Sequence, residues 1–351
     1  MDPRAEEGGS DRPRMEHMDL IDRRRFLSLG LKASLLVGFL GLPRRKAGAQ
    51  LQSSAPVVLE AIRRSIPVAS GLDQSEASLL LDELLRPLTS SQDYPLDIWS
   101  ALFPSDKTAG VKVDAGSPGA ISVTLARTLA GRLIDADVPP ERVIIWDRRS
   151  DALRRAGLAP EGGRTPRIRS VMEEPGGGRC IRPMGEAPPA TLSALAERIE
   201  RDATVTALSA RTDGEMAPFV IENLALGALV QPPDARGKAK AKGAVQTEGL
   251  LAARYAADPA LLPRAVLHVA DLWRVPLGAA DDGTPQLWEA GTILLSQDAV
   301  ALTAVAHRIL ANTRRARKLG ETPAPESLLE AARLGLGQQD LSKIRWVKLV
   351  F

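Results

Sequence analysis

Cysteine is almost missing from this chain: Cys180 is the only one in 351 residues. That excludes a disulfide framework, a cysteine-based zinc site and a self-contained iron–sulfur cluster. Histidine occurs three times, and aromatic residues make up 3% of the sequence. No G-x-G-x-x-G follows a strand pattern, and P-loop, H-E-x-x-H and G-x-S-x-G sequences are missing too. Nucleotide-binding, zincin and serine-hydrolase signatures therefore have no foothold, and the sequence names no cofactor. The 44% hydrophobic and 25% charged fractions are those of a globular chain, which excludes wholesale disorder and a polytopic membrane protein.

What is present begins with an address. Asp22-Arg23-Arg24-Arg25-Phe26-Leu27 precedes an apolar run, Leu27 to Leu42, whose only charge is Lys32. The run is shorter than the roughly 20 residues a spanning helix needs. It is followed by Arg44-Arg45-Lys46 and then Ala47-Gly48-Ala49, with small residues where a signal peptidase reads. The ensemble resembles a twin-arginine export signal at Arg23, Arg24, Phe26 and Leu27. It implies cleavage after Ala49, periplasmic localisation, and the translocation machinery and signal peptidase as partners. No cysteine follows for a lipid anchor, so no permanent membrane anchor is expected; an uncleaved anchor or an amphipathic surface helix is the other reading.

Ten of the 46 basic and seven of the 43 acidic residues lie before residue 50, leaving 36 of each. A neutral remainder gives no general reason to expect nucleic acid. The basic stretches Lys238–Lys242 and Arg314–Lys318 lack interleaved aromatics and read as a solvated loop and a solvated helix end. Cys180, far in sequence from any histidine, reads as a buried or semi-buried structural thiol.

Periodicity then predicts the fold. Asp73–Arg86 and Pro95–Phe103 read as helices, giving a small helical N-terminal segment over 50–104. Gly110–Asp114 is a strand, Ile121–Asp135 a helix and Arg142–Trp146 a strand, which together make a βαβ unit. Helices follow at Ala190–Arg201, Phe219–Leu229, 248–258, Ala299–Leu319 and Glu326–Leu334. Strands are expected at Thr204–Leu208, Ala265–Ala270, Thr292–Ser296 and Ile344–Val350. The reading is an α/β domain over 105–351 with a mostly parallel central sheet flanked by helices. The Gly-, Pro- and Arg-rich stretch 156–188 and the loop 231–244 read as surface segments or lids.

Polar residues gather at the carboxyl ends of these strands, the edge where open α/β sheets bind ligands. Lys112 and Asp114 end the first strand, Asp147 and Arg148 the second. Arg211 and Asp213 follow the third, Asp271 ends the fourth, and Asp298 precedes the long helix. As a site, Lys112, Asp114 and Asp213 are the catalytic candidates. Arg211, Asp147, Arg148, Asp271 and Asp298 are the ligand-binding ones, and converging carboxylates can hold a divalent cation. The competing reading is helix capping and turn formation. His268, in a strand, and His307, in a helix, read as satisfied structural residues.

Several blocks resemble the domain-of-unknown-function family 362 in its exported form, over about Trp99 to Val350. They are Trp99…Phe103-Pro104-Ser105-Asp106, Gly110-Val-Lys-Val-Asp114, Leu133 through Arg148, Gly291 through Leu302, and Ala331 through Gly337 with Asp340–Ile344. The resemblance implies twin-arginine export; some members also carry ferredoxin-type cluster domains, for which this chain lacks the cysteines. The departures are informative. Asp114 stands for an asparagine, Ser122-Val-Thr124 for Thr-His-Pro, Arg211-Thr-Asp-Gly214 for Lys-Asp-His-Gly, and Ile221-Glu222-Asn223 for Leu-Lys-Asn, so the resemblance adds Asn223 to the ligand-binding candidates. Gln246–Leu250 lacks a further family histidine. A divergent member is implied, with altered chemistry or none. Two functions stay open: a periplasmic α/β protein binding a small anionic ligand or a divalent cation at the strand ends, or a non-catalytic binding or assembly protein with a periplasmic partner.

Overall fold

The computed structural model describes residues 55–63, 71–88, 95–115, 122–158, 166–174, 178–183, 187–210, 216–217, 220–231, 247–279 and 285–351. The export-signal residues, Arg211, Asp213, Lys238–Lys242 and most of the 231–244 loop lie outside them.

The protein is an α/β fold built on an eight-stranded, mostly parallel sheet. Its elements in chain order are β1 (Val57–Ile62), α1 (Gln74–Leu85), α2 (Pro95–Leu102), β2 (Ala109–Val113), α3 (Ser122–Asp135), β3 (Val143–Asp147), α4 (Ser150–Arg155) and β4 (Arg167–Ser170). The short pair β5 (Cys180–Ile181) and β6 (Ala190–Thr191) follows, then α5 (Ala194–Arg198), β7 (Arg201–Ala207), β8 (Ser209–Ala210) and β9 (Met216–Ala217). The chain continues through α6 (Val220–Gly227), α7 (Glu248–Ala256), β10 (Ala265–Ala279), β11 (Pro285–Ser296), α8 (Ala299–Ala316), α9 (Glu326–Arg333) and β12 (Arg345–Val350). The sheet order is β12-β1-β11-β10-β7-β2-β3-β4. Only β11 runs against its neighbours β1 and β10; every other pairing is parallel.

Local chemistry explains the helices. Asp73 caps α1, accepting the Glu76 N–H at 2.8 Å, and Leu80, Leu81, Leu84 and Leu85 form its buried stripe. In α3, Leu125, Leu129 and Leu133 are buried. It ends with Asp137 at φ 67 and the bonds Val138 N to Leu133 O and Asp137 N to Ile134 O, a Schellman closure with aspartate in the position glycine usually takes. Helices α1–α3 lie on one face of the sheet. On the other, α6–α9 bury Ile221, Leu224, Leu251, Val300 and Leu310 against Ile144, Trp146, Ala270 and Leu294.

The sequence pattern falls short in specific places. Within 50–104, Val57–Ile62 adds a sheet strand beside the two helices. The helix expected at 190–201 is only α5, capped by Ser193, because 190–191 pairs with β5 and Glu200 and Arg201 donate to Thr108 O as β7 begins. The 156–188 stretch contributes the edge strand β4. Strands β10 and β11 run far beyond the expected 265–270 and 292–296, as one long antiparallel pair. A register slip beside Gly291, at φ 56, turns the pair. Cys180 is exposed rather than buried, because β5 presents alternate side chains outward and Ile181 takes the inward position. Arg314 is not solvated: it is buried and donates to the Leu277 and Leu319 carbonyls.

Candidate functional site at the carboxyl ends of the parallel strands

After β2 the chain leaves along α3 on one face, and after β7 it leaves along α6 on the other. The carboxyl ends of these adjacent strands are therefore the switch point of the sheet, the position where open α/β folds bind ligands.

Lys112, in β2, is 1% exposed. Its ammonium donates to Asp147 Oδ1 at 2.6 Å, Asn223 Oδ1 at 2.7 Å and Val113 O at 2.9 Å, committing all three N–H groups. The carboxylate of Asp147, at the end of β3, also accepts the backbone N–H of Arg148 at 2.7 Å and of Ala115 at 3.2 Å. Asn223, on α6, closes the network by donating to Thr206 Oγ1 at 3.0 Å and Val205 O at 3.3 Å. One charged pair thus ties β2, β3, β7 and α6 together at the switch point. It satisfies the condition for a buried ion pair, that its remaining hydrogen-bonding groups be met as well.

Two residues outside the sequence-derived set make the pair possible. A methyl group on Gly227 would come within 2.4 Å of Lys112 Cε, so only glycine leaves room for the lysine stem. Trp146 lies beside Lys112, its ring 5.5 Å from the ammonium, and donates its indole N–H to Asp202 Oδ1 at 3.2 Å. Asp202 is buried, and desolvation raises its pKa to about 7 despite the indole bond and the nearby Lys112 charge. The signal for it was the alternation Asp202, Thr204, Thr206 along an otherwise apolar strand.

The remaining candidates separate by position. Lys112, Asp147 and Asn223 come together, and Arg148 follows directly, half-buried. Its Nε has no hydrogen-bond partner among the described residues. Burial lowers its pKa, with Arg149 adding to the effect and Asp147 and Glu248 opposing it. Asp114 continues β2, its N–H donating to Val205 O at 3.0 Å. Asp271, buried on β10 beside Ala207, accepts the Trp273 N–H at 2.9 Å. Asp298 does not reach this edge: it follows the antiparallel β11, four strands from β3 and toward the other end of the sheet. There it caps α8, accepting Val300 and Ala301 N–H at 2.8 and 2.9 Å and Gln338 N–H at 3.1 Å; burial raises its pKa.

His268 is buried in β10 against Thr204 Oγ1 at 2.9 Å, and burial alone lowers its pKa to about 3. His307 bonds the Thr322 carbonyl at 3.1 Å. Among the described residues no group of three or more His, Cys, Asp or Glu side chains could hold a metal ion, and no helix is long and apolar enough to cross a membrane. No protein-family model matches the chain, and no curated protein matches it.

Proposed function

We propose that this chain is an exported periplasmic binding protein of the α/β class, a divergent member of family 362, that takes a small anionic ligand at the switch point. The observation that carries the reading is Arg148, which stands half-buried beside a charge-balanced Lys112–Asp147 pair, its Nε without a hydrogen-bond partner among the described residues. A guanidinium held there can grip a carboxylate or phosphate with paired N–H groups. Binding is favoured over turnover because Lys112, the side chain best suited to proton transfer or covalent chemistry, has committed its hydrogens to the protein.

The test is a thermal-shift and calorimetric titration of the purified protein with inorganic phosphate, sulfate and short dicarboxylates. At least one should raise the melting temperature and saturate. Arg148→Ala should weaken that anion about tenfold, the cost of a charge-assisted bond, while the exposed Arg127→Ala leaves it unchanged. No saturable anion, or equal affinity in both variants, removes the proposal. Export is tested separately: a periplasmic mass beginning at Gln50, lost when Arg23 and Arg24 are both changed to lysine, is the expected result.

A further inference from the structure

The two outer strands of the sheet differ in length and in what their ends expose. Edge strand β4 has four residues, Arg167-Ile-Arg-Ser170, preceded by Pro166, and Arg169 pairs with Glu174 at 3.2 Å. A short edge with proline and outward charge discourages further strand pairing. Edge strand β12 has six residues, Arg345-Trp-Val-Lys-Leu-Val350. Val350 is 38% and Phe351 44% exposed. The backbone N–H groups of Arg345 and Phe351 point to β1, bonding Pro56 O and Ile62 O. By the alternation of a strand, those of Trp346, Lys348 and Val350 point away from the sheet.

Lys348 leans over β1 with 35% of its side chain still exposed, and Arg345 is the other exposed charge of this strand. Lys348 Nζ lies 3.4 Å from the buried Glu60 and 4.4 Å above the Trp346 ring, and the Trp346 indole donates to the same carboxylate at 2.8 Å. Trp346 and Lys348 share one face with Val58 and Glu60 of β1.

We infer that β12 is the contact strand of a two-fold dimer, pairing antiparallel with β12 of a second copy so that the two sheets become one. Charge selects the register. Centring the axis on Lys348 sets two lysines directly opposite, which is unfavourable. Centring it on Val347 sets each Lys348 opposite Trp346 of the second copy, on the face that already carries Glu60. Each ammonium then gains a second aromatic face, and the outward N–H and C=O groups of Trp346 and Lys348 pair across the axis. A two-fold interface is self-complementary and closes, so the assembly stops at two. The inference does not depend on the anion site, which lies toward the other side of the sheet.

Light scattering on the eluting full chain should give twice the chain mass at micromolar concentration. Val350→Lys with Phe351→Lys changes two exposed side chains and sets a lysine opposite Lys343 of the second copy. It should return the mass to one chain with an unchanged circular dichroism spectrum. Val347→Cys in a Cys180→Ser background should form a disulfide-linked dimer on mild oxidation, because residues facing across a non-hydrogen-bonded pair lie about 4.5 Å apart. A monomer at all concentrations, an open-ended polymer, or a dimer indifferent to both lysines and unable to form the disulfide would each overturn the inference.

Discussion

The half of the sheet made by β7, β2, β3 and β4 and the half made by β12, β1, β11 and β10 bury charge in opposite ways. In the parallel half the buried cation Lys112 sits at the strand ends, fully enclosed, with its carboxylate and amide partners supplied by two other elements. In the mixed half the carboxylate Glu60 is buried in mid-strand, and its cation Lys348 is 35% exposed at the sheet edge. Desolvation raises the Glu60 pKa, with Lys348 and the Trp346 bond opposing it. An enclosed pair locks several elements to one another and sets the floor of a site. A pair open on one side keeps a face that another chain can complete.

The sharpest way to break this contrast is to remove each cation in turn. Lys112→Met leaves Asp147 and Asn223 buried without their donor and should cost about 3–5 kcal/mol, the loss expected when a buried pair is broken from one side. Lys348→Met removes a partly solvated partner and should cost about 1 kcal/mol or less. Urea unfolding of both variants checks the ratio, and equal losses would dissolve the distinction. Gly227→Ala attacks the enclosed pair without touching charge. It forces the lysine stem aside and should cost about 1–3 kcal/mol, the usual range for overpacking, with nothing comparable expected at the open pair.

Acid–base behaviour offers a second comparison, between Asp202 of the parallel half and His268 of the mixed half. Asp202 has its pKa raised to about 7 by burial, against 3.8 in the unfolded chain. Between those values the folded protein holds a proton the unfolded chain has lost. Its contribution therefore falls as pH rises through that window, and the cost is complete above it. His268 is lowered to about 3 by burial, against 6.5 unfolded. Here the unfolded chain takes the proton first, so stability is present above pH 6.5 and is lost as pH falls toward 3. Asp202→Asn should make the stability curve rise more steeply with pH between about pH 4 and 7. His268→Gln should make it rise less steeply over nearly the same range. Each change amounts to a few kcal/mol across the window, at roughly 1.4 kcal/mol for every pH unit that separates the folded and unfolded values. Denaturant midpoints at several pH values read both, and slope changes of the same sign, relative to the parent protein, would refute the assignment.

The parallel half was also the more legible one. Gly110–Asp114, the α3 stripe and Arg142–Trp146 lie within a residue or two of the observed β2, α3 and β3, because a strand buried on both faces shows as a continuous apolar run. Lys112 and Asp147 stand out by their place within or after such strands, whereas Asn223, inside α6, is marked only by the family resemblance. What the pattern hides is set by contacts distant in sequence. Val57–Ile62 carries a short apolar run of its own, but its place between β11 and β12 is conferred by strands more than 200 residues away. Arg167–Ser170 is polar because it is an edge. The far ends of β10 and β11 stabilise one another beyond the reach of β7. Gly227 ends a helix and looks like any terminal glycine until the lysine it accommodates is known. Asp298 shows the converse error: its residue type fitted the site, but strand direction, which one chain's pattern does not encode, carries it away.

That misplacement yields the cleanest separation between the halves. Asp298 commits one oxygen to the first turn of α8 and the other to Gln338. Asp298→Ala should therefore cost about 1–2 kcal/mol, the upper range for losing an N-cap. Asp298→Asn, which keeps an acceptor toward the helix, should recover most of it. Neither change should alter the affinity of any anion whose binding depends on Arg148, since four strands and the direction of β11 separate the two positions. A titration in which Asp298→Ala weakened that anion as much as Arg148→Ala would mean that the ligand is held at the opposite edge, with Asp298 part of the site and Arg148 affecting it only indirectly.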